Sequence, residues 1–251
     1  MSTEGATVEL YDDLWLNQWR DMELHNPTAR HLQNMISGIV RDAMPIETLL
    51  DVGCGCGANI KPLQSEFPAL KFTAADLSNR ITDLARQYIG PSPSVEYRAF
   101  DVSKERLDSS FDLVLCNQVL EHIEDDRAAI ANLAAMSKRW VLITVPAGAY
   151  NSTSKIVGHV RHYTRAELVE KVEAAGLKVR KVSNWGFPFH SIYKKLLGSL
   201  PEEAQRKAGF GTYGFSKKLL SNLLYIMFYG NIVDHGANVI LLAEKQPQGS
   251  K

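Results

Sequence analysis

The stretch Leu50-Asp51-Val52-Gly53-Cys54-Gly55-Cys56-Gly57-Ala58 constrains the fold of this 251-residue chain more than any other. Thr48 to Gly53 reads as a buried strand, and it runs into glycines at three alternate positions. Asn59 to Phe67 then reads as a short helix, stopped before Pro68. Glycines at a strand-to-helix turn allow a sharp reversal and let a ligand approach the main chain. A turn of this kind belongs to an open α/β sheet, whose ligands bind at the carboxyl ends of the strands. The stretch also satisfies G-x-G-x-x-A, so dinucleotide binding is one reading; the motif alone does not choose the ligand.

The alternation continues along the chain. Phe72–Asp76, Val95–Phe100, Phe111–Cys116 and Trp140–Val145 read as strands. Ser78 is placed to cap a helix running towards Tyr88, and Asp125–Ser137 forms an Ala-rich helix. Thr164 with Glu167 has the spacing of a capping box for a helix ending at Gly176. Leu177–Val182 and Ala237–Glu244 supply two more strands. Strands alternating with helices predict a parallel sheet covered on both faces. About 54 residues before the last strand are rich in aromatic and basic groups, and they predict two helices, roughly His190–Leu197 and Ser216–Tyr229, inserted as a cap. The expected organisation is a single domain: a helical N-terminal segment 1–46, a cofactor-binding core 47–183, a helical cap 184–236 and a last strand 237–245.

Carboxylates recur where such a sheet binds its ligand. Asp51 precedes the glycines, where it can hold an ammonium group. Asp76 ends the second strand, where it can accept from ribose hydroxyls, which serves NAD and S-adenosylmethionine equally. Asp101 follows the third strand, placed to accept from an adenine amino group, and Asn117-Gln118-Val119-Leu120-Glu121-His122 follows the fourth.

Taken together, LLDVGCGCG, AADLS, FDV, FDLVLCNQVLEHIED and WVLITVP resemble the class I S-adenosylmethionine-dependent methyltransferases, in the branch of the ubiquinone- and menaquinone-type enzymes. The resemblance covers residues 47–183 and the last strand. It implies a Rossmann-like, doubly wound, seven-stranded sheet with six parallel strands and an antiparallel seventh, here with a helical cap insertion. It also implies S-adenosyl-L-methionine as cofactor. Asp51, Gly53, Gly55 and Gly57 would line its methionine part, Asp76 would take the ribose, and Leu77 would pack on the adenine. Asp101, with Val102 beside it, would read the adenine amino group, and Asn117 would lie close to the sulfonium. Residues 1–46 and 184–236 fall outside the resemblance and are expected to set the substrate.

The candidate catalytic residues are His159, His122 and Glu121, with His159 favoured as general base. In the resembling family a His-x-Arg-x-Tyr segment after the fifth strand borders the substrate pocket, which points to Arg161, His162 and Tyr163. Trp15 and Trp19, four residues apart on a helix, can roof the site. No metal is expected: related RNA 3′-end methyltransferases use a Glu-x-x-Glu-His set, and here Gln118 occupies the first position. Tyr213 and Lys217 match the Y-x-x-x-K of short-chain dehydrogenases, but in the wrong part of the chain. Cys54 and Cys56 read as small loop fillers.

Composition narrows the partners. The 28 basic and 28 acidic residues cancel, which argues against a nucleic-acid coat protein and against a disordered polyelectrolyte. The cancellation hides a split, acidic up to residue 150 and basic after it, with the basic half expected to face an anionic or lipid-like acceptor. No run approaches the ~20 apolar residues of a membrane-spanning helix, although peripheral membrane contact through Leu219–Tyr229 is open. The N-terminus lacks a secretory pattern, and three cysteines make neither a disulfide framework nor a zinc site, so the cytoplasm is the expected location. The expected activity is methylation of a small molecule, on oxygen before nitrogen or carbon, by in-line displacement. A non-catalytic cofactor-binding partner subunit and a NAD(P)-dependent oxidoreductase are the rivals. Oligomeric state is open.

Overall fold

The computed structural model describes residues 3–150 and 152–246. Its centre is a sheet of strands β1 (Thr48–Val52), β2 (Lys71–Asp76), β3 (Val95–Ala99), β4 (Phe111–Asn117), β5 (Ser137–Pro146), β6 (Leu177–Phe187), β7 (Ile232–Val233) and β8 (Asn238–Lys245). Their order is β3-β2-β1-β4-β5-β8-β6-β7. β1 pairs in parallel with β2 and with β4, and β8 runs antiparallel to both β5 and β6. This is the expected sheet of six parallel strands and one antiparallel strand, extended at its edge by the two-residue β7.

Both faces are covered, which is why the strands read as continuous apolar runs rather than alternating ones. One side chain of each neighbouring pair goes to each face. Leu49 and Leu113 pack under helices α3 (Pro27–Asp42), α4 (Ile60–Glu66) and α5 (Asn79–Ile89). Leu50 and Val114 pack under α6 (Asp126–Met136) and α8 (Arg165–Ala174). The helix starts follow local chemistry: Asn26 caps α3 by accepting from the Thr28 N–H at 2.8 Å, with Pro27 at its first position. Ser78, Asp125 and Thr164 cap α5, α6 and α8 in the same way.

Outside the helical N-terminal preface, the remaining segments depart from the sequence pattern in three places. The N-terminal preface is α1 (Thr3–Leu14), a π-helical turn (Trp15–Trp19) and α2 (Arg20–His25) before α3. The short α7 (Ser152–Ile156) stands where no element is expected. β6 continues five residues past Val182, because Ser183, Asn184 and Trp185 pair with β8 despite their polar, loop-like sequence. The insertion therefore begins later and holds three helices, α9 (Phe189–Gly198), α10 (Glu202–Gly209) and α11 (Phe215–Phe228). The unexpected α10 carries four charges and almost no apolar face, so periodicity does not reveal it; Gln205 ties it to Ser152 and Thr153 of α7. α11 buries Phe228 beside α3, and Ser221 Oγ donates to the His25 carbonyl. Gly211 N donates to the Gln18 carbonyl at 3.0 Å and Tyr213 N to the Asp21 carboxylate at 2.9 Å, so insertion and N-terminal preface clasp each other.

Candidate active site

A cavity of about 610 Å³ opens at the carboxyl ends of β1, β2 and β4. Its floor is the glycine turn, held to β2 by the Gly53 and Cys54 N–H groups, which both donate to the Ala75 carbonyl. Gly53 and Gly55 have left-handed backbones, with φ of 74° and 51°. A Cβ on Gly53 would lie 2.3 Å from Val119, and one on Gly55 2.2 Å from the Trp15 indole. The loop must therefore be glycine both for its conformation and for what lies against it. Trp15, Trp19 and Tyr11 form the roof, Trp15 and Trp19 meeting edge to face at 5.7 Å. Cys54 and Cys56 are buried, and burial pushes both thiols up, so neither is a thiolate nucleophile.

Gly53, Asp76, Leu77, Asp101, Val102 and Asn117 line this cavity. Gly55 and Gly57 shape the turn from behind. Asp51 sits fully buried beneath it, its Oδ2 accepting from Asn59 Nδ2 at 3.4 Å while Oδ1 has no partner. Burial raises the Asp51 carboxyl to about 7, with Asp76 adding to the rise. Asp76 accepts from the Gly55 and Leu77 N–H groups, each at 2.8 Å, and burial lifts it to about 6. Asp101, in spite of partial burial, is held below the usual carboxylate range by Ser103 and Lys104. Asn117 accepts from Thr144 Oγ1 at 2.5 Å and reaches Asn59 Oδ1 at 3.5 Å. An unsatisfied buried carboxylate, a second carboxylate with free lone pairs and a glycine floor suit a ligand carrying an ammonium group, a ribose and an aromatic base. S-adenosylmethionine fits these residues.

Beyond the cavity lies a histidine cluster. His122 lines the cavity wall, with Tyr11 5.7 Å and His159 4.8 Å from it, ring centre to ring centre. His122 Nδ1 lies 3.2 Å from the Gly158 carbonyl, and His162 Nδ1 lies 3.3 Å from that of Gly148. A carbonyl only accepts, so His162 Nδ1 carries its proton and Nε2 is bare of one, with the Ser154 hydroxyl 3.0 Å away as one donor to it. His159 Nδ1 approaches that bare nitrogen at 3.1 Å, a distance that requires a proton between them. His159 Nε2 is thereby left as a lone pair, 3.9 Å from Glu121 Oε1. Glu121 is wholly buried with both oxygens unpartnered, and burial raises it to about 8. Burial, with His122 and His162 adding to it, pushes His159 down to about 2, so the resting imidazole is neutral. Lys194 of α9 faces the same chamber closely enough to act on Glu121, and burial lowers it to about 8. Among the described residues, no carboxylate lies within ion-pair distance of its ammonium.

Two expected substrate residues sit elsewhere. Tyr163 is buried and donates to Asp126 at 2.7 Å, and Arg161 Nη1 lies 2.8 Å from the same carboxylate. Together with Lys171 at 2.6 Å they make a cluster between α6 and α8. Neither residue lines the cavity itself, although Arg161 Nη2 donates at 2.7 Å to the carbonyl of Glu124, which does; a carboxylate at the start of α6, unnoticed in the sequence, engages both. Sequence reasoning also missed Asn59, which bridges Asp51 and Asn117, and Gln118, held at φ 56° where β4 ends. Asn59 belongs to no spaced motif, and Gln118, although inside the motif after the fourth strand, had no role of its own there; only the sheet places Asn59 between Asp51 and Asn117.

A family model described as a methyltransferase domain matches residues 50–139. The chain is 32% identical over 155 residues to a ubiquinone biosynthesis O-methyltransferase of Bordetella parapertussis, covering 57% of this chain and 62% of the relative. It is 29% identical over 90 residues to a malonyl-[acyl-carrier protein] O-methyltransferase of Anoxybacillus flavithermus, covering 36% and 34%. The chain thus spans between a third and two thirds of the length of these two relatives. In fold it is similar to the magnesium protoporphyrin IX methyltransferase of Synechocystis PCC 6803, solved with S-adenosylmethionine bound. The TM-score is 0.61 over 98% of each chain, at 13% identity.

Proposed function

Since the chain belongs to the class I S-adenosylmethionine-dependent methyltransferases, we propose that it methylates a hydroxyl or carboxyl oxygen of a small molecule, with His159 as general base. The observation that carries this reading is the fixed lone pair on His159 Nε2, set by the chain from the Gly148 carbonyl through His162. When bound, the cofactor supplies a methyl group on positively charged sulfur and departs as the neutral thioether. Trp15, Trp19 and Tyr11 exclude water from that end, and the glycine turn with Asp51 and Asp76 fixes its position. Holding the acceptor oxygen in line is worth up to about 7–11 kcal/mol. With a hydroxyl acceptor, His159 Nε2 would take the acceptor's proton as its oxygen gains the methyl group; a carboxylate acceptor carries no proton and would need only to be held in line. Glu121, raised to about 8, would stabilise the resulting imidazolium where it ionises, and Lys194 offers a counter-charge to an anionic acceptor. The named O-methyltransferase relatives support oxygen over nitrogen or carbon.

The test is turnover against phenolic and carboxylic acceptors, with NMR of the product to identify the methylated atom. His159→Gln is expected to lower kcat by about 10²–10⁴ while leaving S-adenosylhomocysteine affinity unchanged. Methylation on nitrogen or carbon, or a fully active His159→Gln enzyme, would refute the reading. Tight cofactor binding without turnover on any acceptor would favour a supporting subunit.

A second reading has its own observation. One oxygen of Glu121 and one ring nitrogen each of His122 and His159 lie within 4.8 Å of one another, the spacing of a three-ligand cation site. A metal there would lower the acceptor's pKa directly. Activity lost to a chelator and restored by a divalent cation would select this mechanism over the histidine base.

A further inference from the structure

Most large hydrophobic side chains left exposed on this molecule lie in one region. Of sixteen such residues among those described, twelve fall between Phe187 and Ile232, so the exposure is concentrated rather than scattered. α11 is two-faced. Ser221 and Phe228 turn inward and are buried, and Tyr225 joins them against α3, its carbonyl 2.8 Å from His31 Nε2. Phe215, Leu219, Leu223 and Ile226 form the opposite stripe at helical spacing, between 51% and 85% exposed. On the neighbouring α9, Ile192 and Leu196 are 52% and 63% exposed.

The charges on the two helices that carry this stripe have one sign. α9 and α11 contain no acidic residue, and Lys195 and Lys218 are exposed on them. Glu202 and Glu203, at the start of α10, are the sole acidic residues from 174 to 233. No described helix is long and apolar enough to cross a membrane.

We propose that the α9–α11 face docks on an anionic lipid surface, with the two helices lying in the plane of the interface. Apolar side chains flanked by lysines on helices too short to span are what such a surface recognises. A second copy of the chain suits the face less well. Self-pairing would bring Lys195 and Lys218 of both copies into one apolar contact with no carboxylate on these helices to offset them. A bilayer supplies the hydrocarbon and the negative charge together. Lys194, next to Lys195 on α9, turns to the inner side near Glu121. Docking would therefore set one wall of the histidine chamber against the lipid. The docking itself does not depend on the identity of the acceptor.

The experiment is sedimentation of the full chain with vesicles of phosphatidylcholine alone, or with about a third phosphatidylglycerol. Partition should be at least about tenfold stronger on the anionic vesicles and should collapse near 1 M salt, where charges are screened within about 3 Å. Lys195→Glu with Lys218→Glu should cost about tenfold, and Leu219→Glu with Leu223→Glu at least as much, both with unchanged S-adenosylhomocysteine affinity. Should the leucine variant lose cofactor affinity through misfolding, Leu223→Trp gives a second reading: brominated-chain lipid should quench the added indole. Failure to bind either vesicle, or no quenching of that indole, overturns the proposal. So does a wild-type dimer by light scattering that the leucine variant dissociates, which would make the face a self-interface.

Discussion

Asp51 shows how one buried side chain records an absent charge. It lies at the centre of the sheet edge with one oxygen unpartnered, and burial holds its carboxyl near 7. The sign follows directly. In the unfolded chain this group ionises near its ordinary value, so the folded protein retains the extra proton between about pH 4 and 7. That costs stability increasingly as pH rises through this window. An ammonium beside Asp51 would reverse the shift, so cofactor binding should release close to one proton at pH 6 and almost none above pH 8. Calorimetry in buffers of different ionisation enthalpy reads this directly, and a proton count independent of pH would contradict it. Asp51→Asn should weaken binding about 10–100-fold, the worth of a hydrogen bond to a charged group, and should make the free protein more stable at neutral pH. Glu121 obeys the same sign with its raised value of about 8.

At the scale of elements, the informative contact joins α6, α8 and the loop before α8. Asp126 gathers Tyr163, Arg161 and Lys171 about one carboxylate and is itself nearly buried. Despite its burial, Lys171, Tyr163 and Arg161 hold Asp126 below the ordinary carboxylate range. It thus contributes stability at neutral pH that is lost as pH falls through that lowered value. Asp126→Ala leaves Lys171 with Glu167 alone, 3.0 Å away, and takes the acceptor from the buried Tyr163 hydroxyl, so it should cost about 1–3 kcal/mol, lowering the melting temperature by roughly 5 °C. Cofactor affinity should hardly change, because none of these residues contacts the cavity floor. A large loss of affinity with little loss of stability would place the cluster in the binding site after all.

The whole molecule couples two regions that the sequence keeps apart. Preface and insertion meet at Gln18–Gly211, Asp21–Tyr213 and Arg30–Asn222. Trp15 and Trp19, on the preface, roof the cavity. Binding of S-adenosylhomocysteine should therefore slow amide exchange in residues 8–25 and also in 211–225, which do not line the cavity. Protection confined to the strands and their loops would show that the clasp carries no coupling. The charge split also looks different at this scale. The expectation that the basic half faces the acceptor holds for few of its members. Arg161 is held by Asp126, Arg165 by Asp234 and Arg206 by Glu202. Lys217 donates to the Phe210 carbonyl. Lys194 turns to the chamber, while Lys195 and Lys218 face outward.

The alternating strands and helices, the glycine turn and the carboxylates at the strand ends were legible in the residues. Period, caps and turn chemistry are local properties, and they determined the sheet and where its ligand edge lies. The cap at Ser78 was within reach for that reason, whereas the antiparallel direction of the last strand followed only from the family resemblance. The tertiary structure alone decided how the three histidines are wired, because that depends on the Gly148 and Gly158 carbonyls lying against His162 and His122 and on His159 lying against His162. It also decided that Asp126 binds Arg161 and Tyr163, that β6 runs on to Phe187, and which stripe of α11 stays exposed. Each of these is a competition between partners distant in sequence, and its outcome is set by packing rather than by the propensity of any segment.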